Sequence, residues 1–205
     1  MLKRTSKNFI NNILKDNSNW NILDVGCGYR ANPYASVLAD VKDLSNFYLD
    51  KKFVKINDKD LPFKDKEFDF VIASHVIEHI DDFEFFIKEL ERISTQGYIE
   101  LPTRLGDNLV FENKADHIWW CLYDDINNKL VFSKKNQLIE PFINVSTAKI
   151  LEEVFKESLV LELTWNDKID YKIDNSIQES NFQRISFLKL IKKYFSKKIR
   201  SLFKR

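Results

Sequence analysis

A Gly-Cys-Gly turn at residues 26–28 constrains this chain more than any other feature. The sequence holds four glycines in 205 residues, against a typical share of about 7%, and two of them lie in this turn. It follows Ile22, Leu23 and Val25, which indicate a short buried strand. Glycines at a strand end permit a tight turn and let a ligand approach the backbone closely. The segment therefore predicts a loop that binds a nucleotide-type cofactor.

A dinucleotide-binding loop would continue with a third glycine, in the pattern Gly-x-Gly-x-x-Gly. Residues 29–32 contain no glycine. The sequence thus disfavours a loop that cradles a pyrophosphate.

Three further motifs follow in order. Asp40 closes a second apolar run at residues 36–40, and Leu-Pro-Phe stands at residues 61–63. At residues 67–80 an apolar strand ends in Ala-Ser-His and leads into the pattern His-x-x-Glu-His. Together with the Gly-Cys-Gly loop, this order resembles the class I S-adenosylmethionine-dependent methyltransferases.

The resemblance implies that S-adenosylmethionine is the cofactor. It assigns to Asp40 the acceptance of hydrogen bonds from both ribose hydroxyls, a role that suits a carboxylate. It places the adenine amino group near Asn57 or Asp58; the family usually has an acid where Asn57 stands, so both alternatives remain open. The other positions that it assigns to cofactor contact are Asp24, Gly26, Cys27, Gly28, Leu61 and Ser74.

The connection between the first two strands is short. Sixteen positions separate Asp24 from Asp40, and Pro33 lies between them, so a full crossover helix hardly fits. We expect the usual first helix to be reduced to a turn or lost. The N-terminal segment 2–17 is a candidate to cover the cofactor's methionine side instead, because apolar residues recur there at helical spacing: Phe9, Ile10, Ile13 and Leu14.

Composition favours one soluble α/β domain. A chain of 205 residues with 44% apolar content can bury a single core, and no apolar run approaches the roughly eighteen residues of a membrane span. Cys27 and Cys121 offer neither a spaced zinc pair nor a disulfide framework. Because the N-terminus also lacks a secretory pattern, we expect a cytoplasmic protein.

Helix and strand signals alternate after the motifs. An amphipathic helix begins at Asp81, a strand covers residues 98–101, a helix covers 147–157, and strand candidates follow at 159–164 and 169–173. This order predicts a Rossmann-like, mostly parallel sheet with helices on both faces and a terminal antiparallel strand pair.

Residues 104–140 fall outside the minimal sheet. Strand formers at 119–123 and 129–132 flank Asn127-Asn128, which predicts a β-hairpin inserted after the fifth strand. In the family that the chain resembles, insertions at this place commonly form the acceptor pocket. Trp119 and Trp120 then either contact substrate or pack the hairpin onto the body.

Three histidines are the candidate catalytic residues. Methyl transfer depends mostly on positioning the acceptor in a desolvated site, but a hydroxyl acceptor benefits from a general base, and imidazole suits that task. We interpret His75 as a pocket residue and His117 as the base, with His79 as a further candidate; a structural role is the alternative for each. Residues 75–79 do not form the zinc-protease pattern His-Glu-x-x-His, and the sequence predicts no metal site.

The C-terminal segment 184–205 carries nine basic and no acidic residues, whereas the whole chain has a net charge of +1. Apolar residues recur every three or four positions along it: Leu188, Ile191, Phe195, Ile199 and Leu202. This pattern is typical of basic amphipathic helices that lie on anionic membranes. Docking on the acidic body, a homodimer contact and nucleic-acid binding are the rival interpretations.

These features predict a single methyltransferase domain at residues 1–180, with a substrate-pocket insertion at 104–140, followed by a basic amphipathic helix at 181–205. We expect methyl transfer to a small-molecule, sugar or lipid-linked acceptor, at oxygen, by a cytoplasmic protein that contacts the inner face of the membrane. An RNA methyltransferase is one alternative, although the Asn-Pro-Pro-Tyr signature of amino-group enzymes is missing at residues 73–75. A non-catalytic cofactor-binding module is another.

Overall fold

The computed structural model describes residues 1–57, 60–176 and 184–202. Its strands, numbered in chain order, are β1 (Leu2–Arg4), β2 (Ile22–Val25), β3 (Val37–Asp40), β4 (Lys52–Lys55), β5 (Phe70–Ser74), β6 (Gln96–Pro102), β7 (Trp119–Asp124), β8 (Lys129–Lys134), β9 (Val160–Asn166) and β10 (Tyr171–Ile173). Its helices are α1 (Lys7–Asp16), α2 (Phe83–Ile93), α3 (Arg104–Leu109), α4 (Asn113–Asp116), α5 (Val145–Leu159) and α6 (Phe187–Leu202). A 3₁₀ turn at Ile77–His79 follows β5.

Seven strands form the main sheet, in the order β1-β9-β6-β5-β2-β3-β4. The five strands from β4 across to β6 are parallel to their neighbours, and β9 runs antiparallel to β6. All four residues of β2 and of β3 are buried, as expected for parallel strands covered on both faces. The predicted Rossmann-like sheet with a terminal antiparallel strand is confirmed.

The strand at residues 169–173 was expected to complete a terminal pair in this sheet, and that expectation is wrong. β10 pairs in parallel with β8, while the N-terminal β1 pairs antiparallel with β9 and takes the edge. Leu2 is fully buried there, and the N–H of Thr5 donates to the carbonyl of Glu162 at 3.0 Å. Burial of Leu2 therefore favours β1, and not β10, as the edge strand next to β9.

Alternate residues of the central strands pack on opposite faces of the sheet. Leu23 and Val25 belong to the larger apolar core, which includes the buried face of α2. Ile22 belongs to the second core, together with Tyr98 of β6. This alternation follows from the period of two in a strand and gives each face its own helical cover.

α1 covers the second face, where a crossover helix after β2 would otherwise lie. Residues 26–36 form turns without a helix, as the short connection predicted. Ser6 caps α1, its Oγ accepting from the N–H of Phe9 at 3.2 Å. Ile10 and Leu14 are buried in the second core. The N-terminal segment thus compensates for the missing crossover helix.

The inserted hairpin is present as predicted, and β7, β8 and β10 form a second sheet. Trp119 and Trp120 are both buried. Nε1 of Trp119 donates to the carbonyl of Ile80 at 2.9 Å, and Nε1 of Trp120 donates to Oδ2 of Asp107 at 3.1 Å. Packing against the body, one of the two alternatives for these residues, accounts for both.

α6 carries no buried residue among its described side chains. The segment before it is joined to the body through Ile185, whose N–H donates to the carbonyl of Leu138 at 3.2 Å. Among the residues that the structure describes, none of the helices is long and apolar enough to span a bilayer.

Candidate functional site

A cavity of about 780 Å³ lies at the carboxyl ends of β2, β5 and β6. Ligands collect at this edge in open α/β sheets. Its wall includes Gly26 and Cys27 of the glycine loop, the first two turns of α1, and parts of α3, α4 and α5. Of the residues predicted from the sequence, those that line it are Asp24, Gly26, Cys27, Ser74, His75, His79 and His117.

The two loop glycines have different physical roles. Both adopt left-handed backbone conformations, with φ of +68° at Gly26 and +51° at Gly28. A Cβ added at Gly26 would lie 2.4 Å from Cγ2 of Val76, whereas one added at Gly28 would meet no atom within 4 Å. Gly26 is therefore needed for packing, while the space beside the Cα of Gly28 is open. This open space fits the close approach of a cofactor that the sequence predicted.

Asp24 places a carboxylate at the end of β2, on the cavity wall. Its Oδ2 accepts a hydrogen bond from the N–H of Asn32 at 2.6 Å. Burial outweighs that hydrogen bond and raises the pKa of Asp24 to about 6. A buried carboxylate beside an open cavity favours a cationic ligand group, and S-adenosylmethionine carries two, an ammonium and a sulfonium.

Asp40 holds the glycine loop in shape. Its Oδ2 accepts from the N–H of Gly28 and its Oδ1 accepts from the N–H of Lys42, both at 2.9 Å. Tyr48 supports the same loop, donating its hydroxyl proton to the carbonyl of Gly28 at 2.8 Å. Asp40 does not contribute to the described cavity wall, so its contact with ribose stays a prediction. Its structural role was not visible in the sequence.

The structure supports the residues assigned to the adenine less strongly than it supports Asp24. Oδ1 of Asn57 accepts from the N–H of Asp60 at 2.9 Å, and Asp58 lies outside the described residues. Leu61 is buried in the larger core and its N–H donates to Oε2 of Glu89 at 3.1 Å. The assignment of Leu61 to the cofactor stays a prediction.

Burial, the largest effect, raises the pKa of the Cys27 thiol to about 12, and the nearby carboxylates of Asp24 and Asp40 act in the same direction. The thiol is thus protonated near neutral pH and unsuited to act as a nucleophile. Cys27 contributes packing and backbone to the loop.

His75 lies between two carboxylates. Its Nδ1 is 3.2 Å from Oε1 of Glu78, and its Nε2 is 3.2 Å from Oε1 of Glu100. Desolvation acts to lower the pKa of His75, but the two carboxylates outweigh it and raise the pKa to about 10. Both ring nitrogens carry protons in that state. His75 is a pocket residue, as interpreted, but the arrangement contradicts its candidacy as a general base.

Glu100 extends this charged network toward α1. Nζ of Lys7 lies 3.4 Å from Oε2 of Glu100, and the backbone N–H of Lys7 donates to Oε1 of Glu162 at 2.7 Å. Burial acts to raise the pKa of Glu100, but His75, Lys7 and the hydroxyl of Tyr98 hold it well below its usual range. The ion pair anchors the first turn of α1 at the cavity wall.

His117 is buried in the cavity wall. Its Nδ1 lies 2.5 Å from Oδ1 of Asp107, and this contact fixes the tautomer whose Nε2 carries the lone pair. Oδ2 of Asp107 accepts in turn from Nζ of Lys135 at 2.9 Å. The roles of Asp107 and Lys135 could not be predicted from the sequence, because nothing in their spacing relates them to residue 117.

His79 and Glu78 approach His117. The rings of His79 and His117 meet edge to face with centroids 4.5 Å apart. Nδ1 of His79 donates to the carbonyl of Asp116 at 3.0 Å, and desolvation lowers the pKa of His79, which favours its neutral form. Glu78, His79 and His117 each place one ligand atom within 4.8 Å of the others. The absence of a metal site stays a prediction, and folding brings together a group that its sequence spacing did not indicate.

Comparison with known proteins agrees with the loop geometry. Residues 23–99 match the family model described as a methyltransferase domain. Over these residues, which make up less than half of the chain, the sequence is similar to class I, S-adenosylmethionine-dependent methyltransferases. The match supports S-adenosylmethionine as the cofactor, as the resemblance implied. Comparison with curated proteins finds no match.

Several solved structures are similar to this chain. YcgJ from Bacillus subtilis is 17% identical, with a TM-score of 0.41 over 47% of this chain and 50% of that one. PH0226 from Pyrococcus horikoshii is 14% identical, with a TM-score of 0.46 over 80% and 93% of the two chains. A methyltransferase described as putative, in complex with the Haloferax volcanii Trm112 activator, is 16% identical, with a TM-score of 0.44 over 73% and 83%. The match to YcgJ thus spans half the length of that protein.

Proposed function

We propose that this protein transfers the methyl group of S-adenosylmethionine to an oxygen atom of a small-molecule, sugar or lipid-linked acceptor. The observation that carries the proposal is that the glycine loop and two imidazoles face one cavity. When bound, the cofactor supplies an electrophilic methyl group on a sulfonium. Three residues would hold it. Asp24 would face its cationic groups, the turn at Gly28 would lie against it, and Asp40 would accept hydrogen bonds from its ribose.

The acceptor end of the cavity lies at His79 and His117. Nδ1 of each ring is engaged, with the carbonyl of Asp116 and with Asp107, so the Nε2 lone pairs are the basic atoms. A hydroxyl acceptor must release a proton as its oxygen bonds to the methyl carbon, and Nε2 of His117 would take that proton. Asp107 would stabilise the resulting imidazolium. Asn113, from the 104–140 segment, also lines this end of the cavity, which supports a role of that insertion in acceptor binding.

The test is transfer of labelled methyl groups to panels of glycan, lipid-linked and small hydroxyl acceptors. We expect His117→Ala to lower the turnover of a positive acceptor by at least tenfold, since general-base catalysis contributes roughly 10²–10⁴-fold, while the Kd for S-adenosylmethionine changes less than twofold. His117 is buried, so the variant's unfolding transition is measured first. Unchanged turnover in a folded variant would contradict the role of His117. Cofactor binding without transfer to any acceptor would favour the non-catalytic module.

α6 supplies a second proposal, contact with an anionic membrane surface. Its apolar residues are exposed, with Leu188 at 77% and Phe195 at 56%. Basic side chains flank them, including Lys192, Lys193 and Lys197, and α6 holds no acidic residue. Such a helix lies at the interface with its apolar face in the headgroup region, and the cytoplasmic leaflet carries anionic lipids.

Co-sedimentation with vesicles tests this contact. We expect binding to phosphatidylserine-containing vesicles, weakened by salt, and little binding to neutral phosphatidylcholine vesicles. Triple replacement of Lys192, Lys193 and Lys197 by glutamate should abolish it. A matched variant with glutamate at Lys42, Lys52 and Lys55, exposed on the body, changes the net charge equally and should retain most of the binding. Equal loss in both variants would show that net charge, and not α6, drives the association.

A further inference from the structure

We propose that Glu78, His79 and His117 bind a divalent first-row transition-metal ion at the wall of the cavity. Each residue offers one ligand atom, and the three atoms lie within 4.8 Å of one another. Nδ1 of both histidines faces an acceptor, so the nitrogen left for an ion is Nε2 in each. The third ligand atom is a carboxylate oxygen of Glu78.

An independent observation supports the site, and it concerns Oε2 of Glu78. The Glu78 side chain is fully buried, and Oε2 has no hydrogen-bond partner within the described parts of the chain. A buried carboxylate oxygen without a hydrogen-bond partner destabilises the folded state. The other oxygen, Oε1, lies 3.2 Å from Nδ1 of His75. A cation between Glu78 and the two imidazoles would satisfy the unpaired oxygen.

Each candidate ligand is oriented by a partner outside the group. Asp107 contacts Nδ1 of His117 at 2.5 Å, and the carbonyl of Asp116 accepts from Nδ1 of His79 at 3.0 Å. Metal-binding histidines usually donate their second ring N–H to a carboxylate or carbonyl in this way, which fixes the tautomer and ring orientation. The arrangement therefore has the outer support that a metal site requires.

The donor set indicates the class of ion. Two imidazoles and one carboxylate suit Zn²⁺, Fe²⁺, Mn²⁺ or Co²⁺, whereas Mg²⁺ and Ca²⁺ prefer oxygen ligands. Three protein ligands leave at least one coordination position open. Because His79 and His117 line the cavity, that position faces the space for the acceptor.

One consequence rests on the proposed function. An acceptor hydroxyl bound at the open position would have its pKa lowered by the cation, so its proton could pass to solvent and His117 would serve as a ligand in place of a base. Metal binding itself does not depend on methyl transfer. It is therefore tested without cofactor or acceptor.

The experiment is a titration of chelator-treated full-length protein, made without a histidine tag, with Co²⁺ followed by visible absorption and with Zn²⁺ followed by calorimetry. We expect saturable binding of one ion per chain with a micromolar or lower Kd and the d–d absorption bands of bound Co²⁺. Zn²⁺ should displace Co²⁺ and bleach those bands.

Three variants locate the ion. Glu78→Gln and His79→Asn should each weaken binding at least tenfold; His79 is exposed, so its variant remains informative where Glu78→Gln fails to fold. Glu153→Gln removes an exposed carboxylate elsewhere on the cavity wall and should bind as wild type does. Absent or millimolar binding, or an unchanged Kd and Co²⁺ spectrum in His79→Asn, would overturn the metal site. Either result leaves the transfer assay above unaffected, so the two proposals fail separately.

Discussion

Replacing Gly28 by alanine is expected to weaken S-adenosylmethionine binding at least tenfold while lowering the free energy of unfolding by only about 1–2 kcal/mol. The stability cost comes from the left-handed backbone, with φ of +51°, which disfavours residues with a Cβ. The added methyl group would meet no protein atom within 4 Å, so it would occupy space in front of the loop. Calorimetric titration with the cofactor and urea denaturation measure the two effects.

Gly26→Ala is the matched control for this prediction. Its φ of +68° carries a similar backbone cost, but the new Cβ would lie 2.4 Å from Cγ2 of Val76. β-Branched side chains are stiff, so overpacking adds to the backbone cost, and we expect a loss of about 2–5 kcal/mol in the free energy of unfolding. Wild-type affinity in Gly28→Ala would show that the cofactor does not approach this loop.

Leu14→Ala is expected to lower the free energy of unfolding by about 2–5 kcal/mol, the usual cost of truncating a buried leucine. Leu14 is fully buried between α1 and the sheet. The loss would show that α1 replaces the missing crossover helix as cover for this face. Urea denaturation followed by circular dichroism measures the change.

Phe9→Ala provides the control within the same helix. Phe9 is 59% exposed, so its truncation should change the free energy of unfolding by no more than about 0.5 kcal/mol. Both substitutions introduce alanine into α1, so the new residue has the same helix propensity in each. A difference between the two losses of stability therefore reports on packing. A loss at Leu14 no larger than at Phe9 would contradict the docking of α1 on the sheet.

The central sheet could be predicted because each of its strands has a recognisable pattern within a short stretch of sequence. Continuous apolar runs such as residues 70–73 indicate buried parallel strands, and the order of the motifs indicated the topology. The edge of the sheet could not be predicted. β1 has three residues, too few for a periodic pattern, and its pairing with β9 joins opposite ends of the chain.

The candidate functional site likewise contains some contacts that could be predicted from the sequence and others that could not. Asp24 lies two residues before the glycine loop, so their shared role could be predicted. His117 reaches Glu78 and His79 only because the inserted segment folds back on the turn after β5, where the N–H of Ile118 donates to the carbonyl of Glu78 at 2.8 Å. The pairing of His75 with Glu100 likewise depends on two neighbouring strands. No spacing along the chain encodes these contacts.

The most direct measurement is calorimetric titration of the wild-type protein with S-adenosylmethionine and with S-adenosylhomocysteine. The loop geometry and the family match predict saturable binding of one molecule of either ligand per chain, with a Kd in the micromolar range, and a much weaker interaction in Asp40→Ala. Absence of binding of both ligands to folded wild-type protein would contradict a functional cofactor site at residues 24–40.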